Sequence, residues 1–241
     1  MPADQPTILA TSGGWRSGYR TDLAFGPLIH FAIDLAGVTG RRPRLCHVGT
    51  AAGDPRWFNA RVSEAGQFAG IEVSHLNLFT MPPTDDLDDF VGSHDVVWVN
   101  GGSVANLLAV WQVHELGPVM HRAWQAGVVL GGISAGSICW HVGGPTDSYG
   151  PELRLQTNGL AFLPYGNGVH YDTEAQRRPL VQSAVAGGAL PLTYCTDEGA
   201  GLLYRGTTLA EAVTELDGAN CYRVARQGDS ATEDVLDTRR L

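Results

Sequence analysis

Short apolar runs alternate along the first half of this chain with longer segments whose apolar positions recur every three or four residues. The short runs predict strands over 7–11, 44–49, 72–77, 95–100 and 127–131. The longer ones predict helices over 23–36, 55–69, 104–112, 116–126, 134–141 and 173–186. Pro55 suits a first helical turn, and Asp54 is its expected cap. Strand and helix in strict alternation imply a mostly parallel sheet covered on both faces. From about Leu192 the pattern changes to shorter strands over 192–196, 201–204, 210–214 and 221–224, with turns such as Arg205-Gly206 and Asp217-Gly218. These are expected to add antiparallel strands at a sheet edge. No linker, repeat or low-complexity segment interrupts the chain, which reads as one α/β domain over 1–241. The polar segment from Gly228 onward is expected to be a flexible tail.

Composition narrows the partners. Of 241 residues, 44% are hydrophobic, enough for a sizeable core. The formal net charge of −9 argues against a nucleic-acid partner and against an anionic membrane surface. The cysteines, Cys46, Cys139, Cys195 and Cys221, form no C-x-x-C, so neither a zinc site nor a redox pair is expected. Buried thiols fit a reducing, cytoplasmic setting. The N-terminus lacks the basic and apolar regions of a signal peptide, and no apolar run has membrane-spanning length. No metal or organic cofactor is called for.

Gly132-Ile133-Ser134-Ala135-Gly136 follows an apolar run and precedes a helical pattern. Strand, sharp turn and helix with a serine at the corner is the arrangement that lifts a nucleophilic hydroxyl above a sheet. Upstream, Asn100-Gly101-Gly102-Ser103 ends one strand and opens another helix. If these two strands are neighbours, the N–H groups of Gly102 and Ala135 form an oxyanion pair; a tight turn is the alternative use of the same glycines. Of eight histidines, His170 ends the stretch Gly166-Asn167-Gly168-Val169 and stands before a helix start, where a catalytic base is carried on such a sheet. His141 follows the serine on the same helix and is expected to point away. An orienting carboxylate would complete the set. Asp197, Glu198 and Asp147 are all candidates, and spacing does not choose among them.

Taken together and in order, Asn100-Gly101-Gly102-Ser103, Gly132-Ile133-Ser134-Ala135-Gly136, His170-Tyr171-Asp172 and Asp197-Glu198-Gly199 resemble the peptidase E family of serine peptidases. That family contains aspartyl dipeptidases and, more distantly, cyanophycinases, and the resemblance runs from about residue 7 to 225. It implies a flavodoxin-like, class I glutamine amidotransferase-like three-layer sandwich. It also implies Ser134 as nucleophile, His170 as base and Glu198 as orienting acid, with Gly101, Gly102 and Ala135 at the oxyanion hole. Asp147 matches a second acidic position of the family. Where the aspartyl dipeptidases use an arginine to bind the substrate's aspartate, this chain has Glu174, with Arg177 and Arg178 one helical turn on. The implied substrate is a dipeptide or small peptide, and a homodimer is left open.

Three other readings compete: a cyanophycinase-like isopeptidase, an α/β-hydrolase-type esterase, and a non-catalytic amidotransferase-like binding protein. In the esterases the acid precedes the histidine, whereas here His170 precedes Glu198. A binding protein has no physical need for an intact nucleophile, base and acid. Glutamine amidotransferase chemistry uses cysteine at the elbow, where this chain has serine.

Overall fold

The computed structural model describes residues 3–241. Its main sheet has eight strands. Thr7–Thr11, Val129–Ile133, Val96–Val99, Arg44–Val48 and Glu72–His75 lie side by side in that order, all parallel. On the other side of Thr7–Thr11, the strands Ala200–Arg205 and Thr208–Thr214 continue the sheet antiparallel, and Thr238–Arg240 closes that edge. The expected α/β layering follows from the strand sequences. Val96–Val99 is apolar at every position because both of its faces are buried. Ile8, Ala10, Val97, Val99 and Leu130 face one layer, which holds Trp111 and Met120 from the helices Val104–Val113 and Leu116–Gln125. Leu9, Val96, Trp98 and Val129 face the other layer, built on Pro27–Leu35 and Arg56–Ala69.

A second, four-stranded sheet is formed by Gly166–Gly168, Thr193–Thr196, Cys221–Gln227 and Ser230–Val235. The helix Arg177–Ala186 packs on it through Val181 and Val185. The two sheets meet where Thr193–Thr196 leads into Ala200–Arg205, the segment that carries Glu198.

Five expectations need correction. The segment from Gly228 is not a tail: it folds back as Ser230–Val235 on Cys221–Gln227 and ends in the main sheet. Its sequence is polar because backbone ladder bonds and an anchored Glu233 do much of the holding, with Ala231, Leu236 and Leu241 its apolar contacts to the core. The helix after Ser134 is only Ala135–Ile138, and the helix expected from residue 173 begins at Arg177. Asp54 does not cap the helix Arg56–Ala69; its Oδ2 instead accepts the N–H groups of Leu78 and Phe79. The strand expected over 127–131 lies two residues later.

Candidate active site

Ser134 stands at the end of Val129–Ile133 with φ 57° and ψ −113°, a conformation that costs an L-residue about 1–3 kcal/mol. Three backbone hydrogen bonds hold it. Its N–H donates to the Thr11 carbonyl at 3.0 Å, and its own carbonyl accepts from Ser137 and Ile138, each at 2.9 Å. The flanking glycines serve close approach: a Cβ on Gly132 would lie 2.5 Å from the Val99 carbonyl oxygen, and one on Gly136 2.1 Å from it. The elbow is therefore pressed onto the neighbouring strand while the serine itself takes the strained turn.

That neighbouring strand ends in the expected oxyanion loop. Val99 is paired in register with Gly132, so the two strands are adjacent. Gly101 abuts the serine, its Cβ position being 3.9 Å from Ser134 Oγ. Gly102 has φ 138° and backs onto the Ala51 carbonyl, which accepts the Ser103 N–H at 2.9 Å. Ser103 caps the following helix by accepting the Asn106 N–H. Ala135 begins the short helix after the elbow, with its N–H at the end where donors are free of intrahelical partners.

His170 and Glu198 are brought together from the other side. His170 Nδ1 lies 2.5 Å from Glu198 Oε2. A carboxylate accepts, so Nδ1 is the donor in this bond, and in the neutral imidazole that tautomer leaves the lone pair on Nε2. The two loops are tied twice more: Tyr171 N–H donates to the Thr196 carbonyl at 3.1 Å, and Glu198 N–H to Asp172 Oδ1 at 2.8 Å. Among the described residues, His170 makes no hydrogen bond to Ser134.

Ser12 joins the two halves, a residue the motif reading missed. Its Oγ accepts the His170 N–H at 3.0 Å and shares a hydrogen bond with Thr196 Oγ1 at 2.6 Å. Its only sequence signal is a hydroxyl at the carboxyl end of a parallel strand, where ligands and catalytic groups gather.

Asp147 is exposed in a turn, and its carboxylate makes no hydrogen bond among the described residues. The partner of His170 is Glu198. Arg177, only 3% exposed, donates to both oxygens of Glu174 and to the Pro145 carbonyl. Arg178 pairs with Glu233. Neither guanidinium is left over, and the Glu174 charge is matched within the fold. His141 is buried, donates through Nδ1 to the Ser137 carbonyl, and is held neutral by burial, which lowers its pKa to about 4. It takes no part in the site.

A cavity of about 370 Å³ opens beside Glu198 and Ile133, walled by Trp15, Arg16, Glu215 and Leu216. Burial pushes the Glu215 carboxyl up; the N–H groups of Leu28 and Gly14, which it accepts, pull it back. Trp15 Nε1 donates to Asn100 Oδ1 at 3.0 Å, so the strand pair of Trp15–Arg16 and Ala24–Phe25 reaches from this cavity to the oxyanion loop.

Residues 11–212, which span the elbow, the oxyanion loop and the His–Glu pair, match the model of peptidase family S51. The chain belongs to peptidase family S51. Membership makes it a serine-type peptidase, as the motif resemblance implied. It is 40% identical over 183 residues to the uncharacterized peptidase YgaJ of Bacillus subtilis (strain 168), covering 76% of this chain and 78% of that one. Its fold is similar to the crystal structure of a peptidase from an acI-B1 Actinobacterium, with a TM-score of 0.66 at 16% identity, covering 97% of this chain and 95% of the other. No helix among the described residues of this S51 peptidase is long and apolar enough to cross a membrane.

Proposed function

We propose that this S51 peptidase hydrolyses dipeptides or other small peptides through Ser134, His170 and Glu198. Ser134 Oγ attacks the scissile carbonyl while His170 Nε2 takes its proton. Glu198 holds the Nδ1–H tautomer and stabilises the imidazolium. The N–H groups of Gly102 and Ala135, with Gly101 beside them, receive the oxyanion. His170 then protonates the leaving amine, and water resolves the acyl-enzyme.

The observation that carries this reading is the 2.5 Å His170–Glu198 contact, on loops tied through Ser12 to the strand end that holds Ser134. The small cavity beside Glu198 favours a short substrate, being at the low end of small-molecule sites. Arg16 and Arg240 both line it; Arg240 pairs with Asp217, whereas Arg16 makes no ion pair among the described residues. A substrate carboxylate there would meet Arg16 rather than Arg177 or Arg178. This supports acidic dipeptides, including those with N-terminal aspartate, as the first substrates to try.

The test is a panel of Asp-X, Glu-X and neutral dipeptides with β-linked Asp-Arg, followed by mass spectrometry for wild type and Ser134→Ala. Cleavage lost by about three orders of magnitude in the variant is the expected result. Equal cleavage by both proteins rejects the assignment.

A further inference from the structure

Two buried residues that the mechanism does not use flank the base and the acid. Tyr171 follows His170, and Asp197 precedes Glu198. Tyr171 Oη donates to Glu233 Oε2 at 2.7 Å, and Arg178 Nη1 donates to Glu233 Oε1 at 2.9 Å. The Arg178 guanidinium lies 4.7 Å from the Tyr171 ring centre and 4.8 Å from that of Tyr222. Tyr222 Oη in turn donates to Asp197 Oδ2 at 3.0 Å. One continuous path therefore runs Tyr171, Glu233, Arg178, Tyr222, Asp197, and starts and ends next to the two members of the His–Glu pair. Tyr222 and Glu233 sit on the hairpin of Cys221–Gln227 and Ser230–Val235, beyond the residues that match the family model.

We propose that this network is a brace: Glu233 and Arg178 are positioning residues through which the C-terminal hairpin fixes His170 against Glu198. The proposal rests on the catalytic reading of that pair. The pair has need of a brace. Glu198 is 44% exposed at its side chain, and a hydrogen bond with one partner half in water contributes little by itself and loses side-chain entropy in holding one geometry. His170 sits at φ 50°, a left-handed backbone state that costs a non-glycine residue energy and is kept by its surroundings. The flanking residues supply what the pair lacks, since Tyr171 is 2% and Asp197 3% exposed. Burial pushes the Tyr171 phenol up, so it stays protonated and donates to Glu233. The reading also accounts for Arg178, which the site leaves without a substrate role.

The test reads the pair directly. The His170 Nδ1 proton, bonded to a carboxylate, gives a downfield NMR resonance, assigned by its loss in His170→Asn. Tyr171→Phe removes one hydroxyl and keeps the ring against Arg178; Glu233→Gln keeps the shape and removes the charge. In both, solvent exchange of this proton is expected to quicken about tenfold, and fluorophosphonate labelling of Ser134 to slow by a similar factor, roughly one hydrogen bond's worth. The double variant should be no worse than the poorer single one, because both break one link. Asp234→Asn, on the same hairpin but in an exposed pair with Arg223, should match wild type. Unchanged exchange in Tyr171→Phe and Glu233→Gln, with only a lowered melting temperature, overturns the brace. So does a wild type with no such resonance. Failure of the catalytic reading shows separately, as wild type that Ser134 labelling does not touch while the resonance still responds to the variants.

Discussion

Ser12 Oγ accepts the backbone N–H of His170 at 3.0 Å, and the residue before it, Thr11, accepts that of Ser134 through its carbonyl at 3.0 Å. Two consecutive residues at the end of one strand thus set the spacing of Ser134 and His170, which come from different sheets. Ser12→Ala removes this acceptor, and with it the Ser12–Thr196 hydrogen bond, while the Thr11 carbonyl stays. A lost neutral hydrogen bond of about 1 kcal/mol corresponds to a fall in kcat/KM of roughly five- to tenfold. The fall is expected in kcat with KM near wild type, because the defect lies in the catalytic geometry; steady-state kinetics on any cleaved dipeptide reads it. A changed KM with unchanged kcat would place Ser12 in substrate binding instead.

The acid assignment separates by substitution. Glu198→Gln keeps the volume of the side chain but favours the wrong imidazole tautomer, and kcat is expected to fall about 10²- to 10⁴-fold. Asp147→Asn, in an exposed turn, is expected to change kcat by less than about threefold, as surface substitutions do. The reverse ranking would make Asp147 the functional acid.

Arg177 is structural in this account. Arg177→Ala leaves the Pro145 carbonyl without its donor and Glu174 without its partner, at a cost of about 2 kcal/mol in urea unfolding. The preference for acidic over neutral dipeptides should stay as in wild type. A selective loss of acidic substrates would contradict the pairing of Arg177 with Glu174 as its role.

Acid should destabilise the fold. Burial lowers the pKa of His47 to about 3, helped by His75, and that of His141 to about 4. Between these values and the unfolded value the unfolded chain binds more protons, so stability is full above about pH 6.5 and is lost as pH falls. From pH 6.5 to 5 each of the two contributes a loss of about 1.5 kcal/mol. Asp54, Asp197 and Glu215, whose carboxyls burial pushes up, slope the other way and reduce the total. Urea midpoints at pH 6.5 and 5 measure the balance, and a protein equally stable at both would contradict it.

What is legible in the sequence is what depends on local pattern. Strands buried on both faces are apolar throughout, as Val96–Val99 is, and the glycines around Ser134 and at Gly101-Gly102 mark close backbone approach. Spacing does not tell Glu198 from Asp197 or Asp147, because the choice is made by a turn that returns Glu198, not its neighbour, to His170. Ser12 carries no motif; its role depends on a partner 158 positions away. Arg177 and Arg178 read as substrate ligands because a helix face shows which residues emerge together and not what meets them. The C-terminal strands are hidden for a related reason, since Glu233 is an anchor only once Tyr171 and Arg178 reach it.

The central claim is that Ser134 is the nucleophile, activated by His170. Treatment with a fluorophosphonate, followed by peptide mass mapping, measures this whatever the substrate is. The account predicts a single adduct on Ser134 in wild type, none in Ser134→Ala, and labelling slowed by at least about 100-fold in His170→Ala, the scale of general-base catalysis. An adduct on another residue, or labelling of His170→Ala at the wild-type rate, would contradict it.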